Sequence, residues 1–305
     1  MKKGAMLSGL CLLTHHVSRI TNPLTPSRSP LMPPNLEALF NRAKQIRITL
    51  LRMMGSGKAH HFGGSLSCVE ILTALYFYKM HYEEGEPGHD DRDRLVMSKG
   101  HAVPTQYACL AALGVLKPEE VPSLKTLGSR LQGHPDVRKT PGLEAPTGSL
   151  GQGLSFANGL ALAARLDKAS HRIYVLLGDG ELDEGQVWEA AMTAAHHRLD
   201  NLTAIVDRNG LQAQGATEAM KRLDSVPAKW EAFGWRVLEC DGHDLKALCA
   251  ALDEAAATRG RPSVVIARTV KGKGVSFLEG RYQYHNAALS AEEIGCALRE
   301  LEERC

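Results

Sequence analysis

The sequence predicts an α/β protein built on an open parallel sheet with helices on both faces. Two observations carry this prediction. In the first, the continuous apolar run Ile173 to Leu177 ends at Gly178-Asp179-Gly180. An alanine-rich helical stretch follows from about Glu184 to His197, and Leu202 to Val206 then ends at Asp207-Arg208-Asn209-Gly210. Strand, helix and strand of these lengths make a right-handed crossover between parallel strands. The second is that helical and strand patterns alternate along the chain, as in a sheet covered on both sides.

The elements follow in order. From Asn35, the residues Leu36, Leu39, Phe40, Ala43, Ile46, Leu50 and Leu51 recur at helical spacing, and Val69 to Met80 reads as a second apolar helix. The loop Gly55 to Ser65 lies between them. Arg94 to Ser98 is a short strand, followed by Lys99-Gly100-His101 and a small-residue helix from Pro104 to Leu113. Gly133-His134-Pro135 leads into Thr147-Gly148-Ser149-Leu150-Gly151-Gln152-Gly153, where a helix opens and runs to about Leu166. Beyond the crossover, strands at Trp235 to Glu239 and Ser263 to Ala267 flank a helix at Leu245 to Ala257.

Residues 1–34 differ from the rest. They combine Lys2 and Lys3, an apolar run from Ala5 to Leu13, and prolines at 23, 26, 30, 33 and 34, and are expected to be a flexible extension before a folded domain at 35–305. The apolar run is broken by Ser8 and Gly9 and no small-residue cleavage pattern follows, so a secretory signal is not expected. No stretch approaches the roughly 18 apolar residues that a membrane span needs.

Composition narrows the partners. The 305 residues carry 36 Lys and Arg against 34 Asp and Glu, a net +2, with no run of five like charges, so neither nucleic acid nor an anionic membrane is an expected partner. The seven cysteines are scattered without a C-x-x-C pair, which argues against a disulfide framework or structural zinc and fits a reducing cytoplasm. Against only 16 aromatics (3 Trp, 7 Tyr and 6 Phe) stand 29 glycines and 13 histidines, and both types cluster in the loops named above.

Ligands of parallel sheets bind beyond the carboxyl ends of the strands, where strand order reverses, and Asp179 and Asn209 are placed at such ends. A carboxylate, an amide oxygen and a nearby backbone carbonyl are hard ligands suited to Mg²⁺ or Ca²⁺. Mg²⁺ held by one carboxylate completes its shell with phosphate oxygens, so a metal–diphosphate pair is the natural occupant. The Gly148 to Gly153 loop opens a helix and presents free N–H groups to an anion. Gly57-Lys58 lacks the glycine and the hydroxyl residue of a phosphate-binding P-loop, and no G-x-G-x-x-G follows a strand. Loop histidines 61, 101, 134 and 285, titrating near neutrality, are candidates to bind phosphate or pass protons.

Gly178-Asp179-Gly180, followed after 28 residues by Asn209-Gly210, resembles the thiamine-diphosphate-binding motif. Together with His61-Phe62-Gly63-Gly64-Ser65-Leu66-Ser67, Ser98-Lys99-Gly100-His101-Ala102, Gly133-His134-Pro135 and Thr147 to Gly153, the chain resembles the N-terminal subunit of a split transketolase over about residues 35–300. The resemblance implies that Asp179, Asn209 and the carbonyl of Leu211 bind Mg²⁺ (or Ca²⁺ or Mn²⁺). Gly148, Gly180 and His101 would approach the cofactor diphosphate, and Leu150 would pack on the thiamine rings. His61, His134 and His285 would face the reacting sugar. Glu184 matches a supporting glutamate at a subunit interface near the cofactor.

The implied activity is transfer of a two-carbon ketol unit from a (phospho)ketose to an aldehyde acceptor. A separate C-terminal subunit, expected in an α2β2 assembly, would supply the glutamate that activates the cofactor. His60, Asn286 and Gln214 stand where the family commonly has glycine, glycine and aspartate, which bears on the shape of the substrate entrance. Two other readings remain open from the residues: a 2-oxo acid-decarboxylating thiamine enzyme, and a non-catalytic cofactor-binding module.

Overall fold

A computed structural model describes residues 33–303. The expected extension at 1–34 lies outside the described residues apart from Pro33 and Pro34.

Helix α1 (Leu36–Met54) starts where Asn35 accepts the Ala38 N–H at 3.0 Å, satisfying a first-turn donor. Two short helices follow, α2 (Phe62–Ser67) and α3 (Val69–Ala74), the latter running into a π-helical turn, Leu75–Lys79. The glycine-rich stretch expected to be loop is therefore partly helix. The buried positions Phe62 to Ser67 gain enough packing to override the poor helix propensity of Gly63 and Gly64. Strand β1 (Arg94–Met97) leads into α4 (Val103–Ala112), and α5 (Gly153–Leu166) into β2 (Ile173–Gly178). Then come α6 (Gly185–His196), β3 (Leu202–Arg208), α7 (Thr217–Met220) and α8 (Val226–Ala232). The chain continues through β4 (Arg236–Asp241), α9 (Leu245–Ala257), β5 (Ser263–Arg268) and α10 (Ala291–Glu303).

The five strands are parallel in the order β1-β2-β3-β5-β4. Alternate side chains feed two cores. Leu95, Met97, Tyr174, Leu176, Ile205 and Val265 pack with α1, α3, α4, α9 and α10, while Val96, Val175, Leu177, Val206 and Ile266 pack with α5, α6 and α8. Both faces are thus covered, as the apolar strand runs require.

Asp179 and Asn209 lie just beyond the carboxyl ends of the neighbouring parallel strands β2 and β3, as expected. Strands β1, β2 and β3 are laid down in sequence, and the reversal comes at the step from β4 back to β5. The crevice opens where neighbouring connections leave the sheet to opposite faces. Segments leaving β1 and β5 turn to the α1/α3/α4 face, and those leaving β2 and β3 turn to the α5/α6/α8 face. The diverging connections leave a cleft above the carboxyl ends of the strands, which is where the functional loops meet.

Candidate active site

A cavity of about 330 Å³ lies over these strand ends. Its wall includes ten of the eleven residues singled out from the sequence: His61, His101, His134, Gly148, Leu150, Asp179, Gly180, Asn209, Leu211 and His285. Glu184 is the exception. It caps α6 with its backbone and its side chain is exposed against Gly151, outside the cavity.

The histidines arrive from four separate segments. His61 precedes α2, His101 sits on a 3₁₀ turn (Gly100–Ala102) after β1, His134 is in the loop after α4, and His285 ends a second 3₁₀ turn (Tyr282–His285). Ring centroids are 5.1 Å apart for His61 and His101, 5.3 Å for His61 and His285, 5.2 Å for His101 and His285, and 6.1 Å for His61 and His134.

Titration near neutrality is not what this arrangement produces. Burial, then His134, Lys125 and Lys271, lower His61 to about 4. Burial, then Lys271 and His61, lower His285 to about 3. Burial first, and then Lys99 at His101 and Lys125 at His134, also drive those two below the ordinary value. In the ligand-free chain all four are neutral rings at pH 7, each able to donate at one nitrogen and accept at the other.

Asp179, in the same cavity wall, is buried and its carboxylate is oriented by backbone. Oδ1 accepts the Gly180 N–H at 2.8 Å, Oδ2 accepts the Gly210 N–H at 2.6 Å, and Arg208 Nη1 lies 3.4 Å from Oδ2. Burial and the neighbouring Asp207 carboxylate raise its pKa. A carboxylate disfavoured as a bare anion is one that a bound cation would stabilise. Asn209 Oδ1 accepts the Leu211 N–H at 3.1 Å, and Gly210, at φ +76, gives the turn between them.

Several working residues were not singled out from the sequence. Lys271, buried in the segment after β5, donates to the carbonyls of Leu211 (2.8 Å) and Gln212 (3.1 Å) and lies 3.1 Å from His285 Nδ1. Burial and Lys99 lower its pKa to about 8. With the ammonium donating, His285 Nδ1 accepts and the ring carries its proton on Nε2. Lys99 is fully enclosed and ion-paired to Asp207, which also receives Ser67 Oγ at 2.6 Å and the Thr269 hydroxyl. Burial works against both charges, but their mutual attraction prevails, raising the Lys99 pKa and lowering that of Asp207.

Glu181, also buried, ties together three segments at the strand ends. It accepts from Gly151 N (2.9 Å), Gly178 N (3.0 Å) and the Ser98 hydroxyl. Ser98 Oγ in turn accepts the Gly153 N–H at 3.1 Å. Two N–H groups of the loop expected to be free for an anion are therefore spent inside the protein, and the cavity is reached instead by Gly148 and Leu150. Lys99 and Glu181 stand within or beside the sequence motifs, but nothing local marks their side chains as buried partners of distant loops. Lys271, beside Gly272 and Gly274, is legible from sequence only as part of a glycine-rich turn.

The three departures fall at the margin. His60 is buried with Nε2 3.0 Å from Ser56 Oγ, and its backbone pairs with Ala287 in both directions at 2.8 and 3.0 Å. Asn286, beside that bridge, and Gln214 are exposed and outside the cavity wall.

Residues 40–302 match the family described as transketolase, thiamine diphosphate binding domain. The chain belongs to the transketolase family. It is 45% identical to a 6-deoxy-6-sulfo-D-fructose transketolase subunit of Clostridium sp. (strain MSTE9), over 87% of this chain and 96% of that one. It is 44% identical to an apulose-4-phosphate transketolase subunit of Phocaeicola vulgatus, over 88% and 95%. Human transketolase is 40% identical, but there the match covers 85% of this chain and 42% of the longer protein. The crystal structure of transketolase from Campylobacter jejuni superposes with a TM-score of 0.83 at 33% identity, covering 88% of this chain and 43% of that one. The chain is a transketolase-type enzyme subunit whose fold is the thiamine-diphosphate-binding domain of this transketolase family.

Proposed function

We propose that this chain binds thiamine diphosphate through Mg²⁺ held by Asp179, Asn209 and the Leu211 carbonyl, and transfers a ketol unit between an anionic ketose and an aldehyde together with a separate C-terminal subunit. The observation that carries the reading is one cavity lined both by hard oxygens and by neutral imidazoles. The donor set suits the metal: one buried carboxylate, one amide oxygen and one carbonyl, with room left for phosphate oxygens. No group of three His, Cys, Asp or Glu suited to a metal occurs among the described residues, which disfavours zinc here.

When bound, thiamine diphosphate supplies the carbon nucleophile and electron sink for the transfer. The chain's own residues do the rest. Asp179 and Asn209 orient the cation, Gly148 and Gly180 let backbone come close to phosphate, and Leu150 gives an apolar contact. Lys271 adds positive charge beside the Leu211 carbonyl. His61, His134 and His285 bind sugar hydroxyls and move protons at them, and a neutral imidazole does both through its two nitrogens. Exposed Glu184 is reserved for a subunit contact beside the cavity. Relatives named as subunits support a partner chain, here read as α2β2, and substrates named as a sugar phosphate and a sulfo-sugar support an anionic ketose. Among the described residues, five free cysteines and the lack of a helix long and apolar enough to cross a membrane agree with a cytoplasmic setting.

The test is reconstitution with a C-terminal transketolase subunit from a neighbouring reading frame. Ketose donors should be consumed with aldehyde acceptors, and Asp179→Ala should abolish Mg²⁺-dependent cofactor binding measured by calorimetry. Release of carbon dioxide from pyruvate in place of ketose turnover would overturn the ketol-transfer reading, and unchanged cofactor affinity in the variant would overturn the metal assignment.

A further inference from the structure

Behind the cavity lies a second buried network that the proposed chemistry does not use. His243, just after β4, accepts the Val270 N–H on Nε2 at 2.8 Å, and its Nδ1 lies 3.0 Å from Glu70 Oε2 on α3. Since Nε2 accepts, the ring proton sits on Nδ1 and is donated to the carboxylate. Glu70 Oε1 receives Arg47 Nη2 from α1 at 2.6 Å, and Arg47 Nε donates to the Lys273 carbonyl at 3.0 Å. Burial raises the Glu70 pKa, but Arg47 and His243 together more than offset this and hold it below the ordinary carboxylate value.

The network grips one segment at two points, the Val270 N–H and the Lys273 carbonyl, and Lys271 lies between them. The grip is tight enough to dictate sequence. Gly274 sits at φ +96, and a Cβ there would come within 2.5 Å of Arg47 Cδ, so no larger residue fits under the guanidinium. On the cavity side, the Gly272 N–H bonds the Gly63 carbonyl at 3.0 Å. A Cβ on Gly63 would meet Lys271 Cγ at 2.8 Å, so the lysine stem lies directly on that glycine.

Lys271 has little freedom to find its position unaided. Its ammonium donates to two carbonyls and meets an imidazole, and among the described residues no carboxylate is in hydrogen-bond contact with it. Backbone placement must therefore do what a salt bridge would otherwise do. We infer that His243, backed by Glu70 and Arg47, is a positioning residue that fixes the 270–273 segment and thereby aims Lys271 at the Leu211 carbonyl. The inference concerns the chain's own loop. It rests on the proposed function only for the consequence at bound cofactor.

The test uses the full chain without cofactor, so its outcome is independent of whether the cofactor assignment stands. Amide hydrogen exchange read by mass spectrometry should show His243→Ala raising exchange in peptides covering 269–275, with β2 and β3 unaffected. Acylation at fixed pH should label Lys271 several-fold faster, with other lysines unchanged. Two near-isosteres separate positioning from packing. Glutamine places an oxygen where Nε2 was, and should restore protection at Val270. Asparagine reaches only the Nδ1 position, and should not. Glu70→Gln, which keeps shape but weakens the hold on the ring, should fall between wild type and His243→Ala. Unchanged exchange at 269–275 in His243→Ala, equal behaviour of the Gln and Asn variants, or a rise spread evenly across the sheet would each overturn the inference.

Discussion

Two pairings of histidine in this chain look alike and behave differently. His196 and His197 have ring centroids 4.9 Å apart, closer than any pair in the cavity, yet both are exposed at the C-terminal end of α6. His61, His101 and His285 are slightly farther apart, but they come from three segments, are partly buried and line one cavity with Lys271. Proximity in sequence produces the first cluster and convergence of loops the second. The second is removed from water and set among fixed cations, and there the imidazole becomes a defined neutral donor and acceptor.

This difference can be attacked from several sides. The largest effect should come from the cavity itself. In a reconstituted enzyme, His61→Ala or His134→Ala should lower kcat by about 10² to 10⁴, the usual range for lost proton transfer, while the melting temperature changes little. Steady-state kinetics beside calorimetry checks both halves of that statement.

Next is the buried pair that supports the cavity from below. Asp207→Ala leaves Lys99 enclosed without its counter-charge and takes the acceptor from the Thr269 hydroxyl, so a loss of about 3–5 kcal/mol in urea unfolding is expected. A loss under about 1 kcal/mol would mean the charge finds water and is not truly enclosed.

A separate effect should follow from pH. His60 and His61 protonate near 4 and His285 near 3 in the folded chain, against 6.5 when unperturbed. Between about 4 and 6.5 the unfolded chain binds more protons, so stability falls as pH drops through that window and these groups contribute no slope above it. Urea midpoints at pH 7 and pH 5 should differ in this sense, and His61→Asn should reduce the difference. Smallest of all, His196→Ala with His197→Ala should change stability by no more than about 0.5 kcal/mol and leave turnover intact. A large loss there would erase the distinction between the two histidine groups.

Much of the site was readable because its chemistry sits in short runs at strand ends. Asp179 and Asn209 followed two apolar strands joined by one helix, and neighbouring parallel strands bring their carboxyl ends together whatever else the chain does. The five strands were likewise legible, being continuous β-branched and leucine-rich runs. Helices α7, α8 and α10 were not. The first two are only a turn or two long, and α10 is a charged helix whose few apolar positions, Ile294, Ala297 and Leu301, gain meaning only against the core they cover.

The partners across long stretches of chain were also hidden. Lys99 and Asp207 are 108 positions apart, Ser98 and Glu181 are 83, and His243 and Glu70 are 173. No local pattern pairs them, because a buried charge finds its partner by topology and not by spacing.

The sequence by itself determined the class of fold, the positions of the candidate residues at the strand ends and the family resemblance, since each rests on local periodicity or a contiguous motif. Tertiary structure alone decided which neighbouring connections diverge to open the cleft. It also decided that the histidines are neutral, and that Lys271 shares their cavity. Those outcomes depend on which groups lose water together, and only a packed chain specifies that.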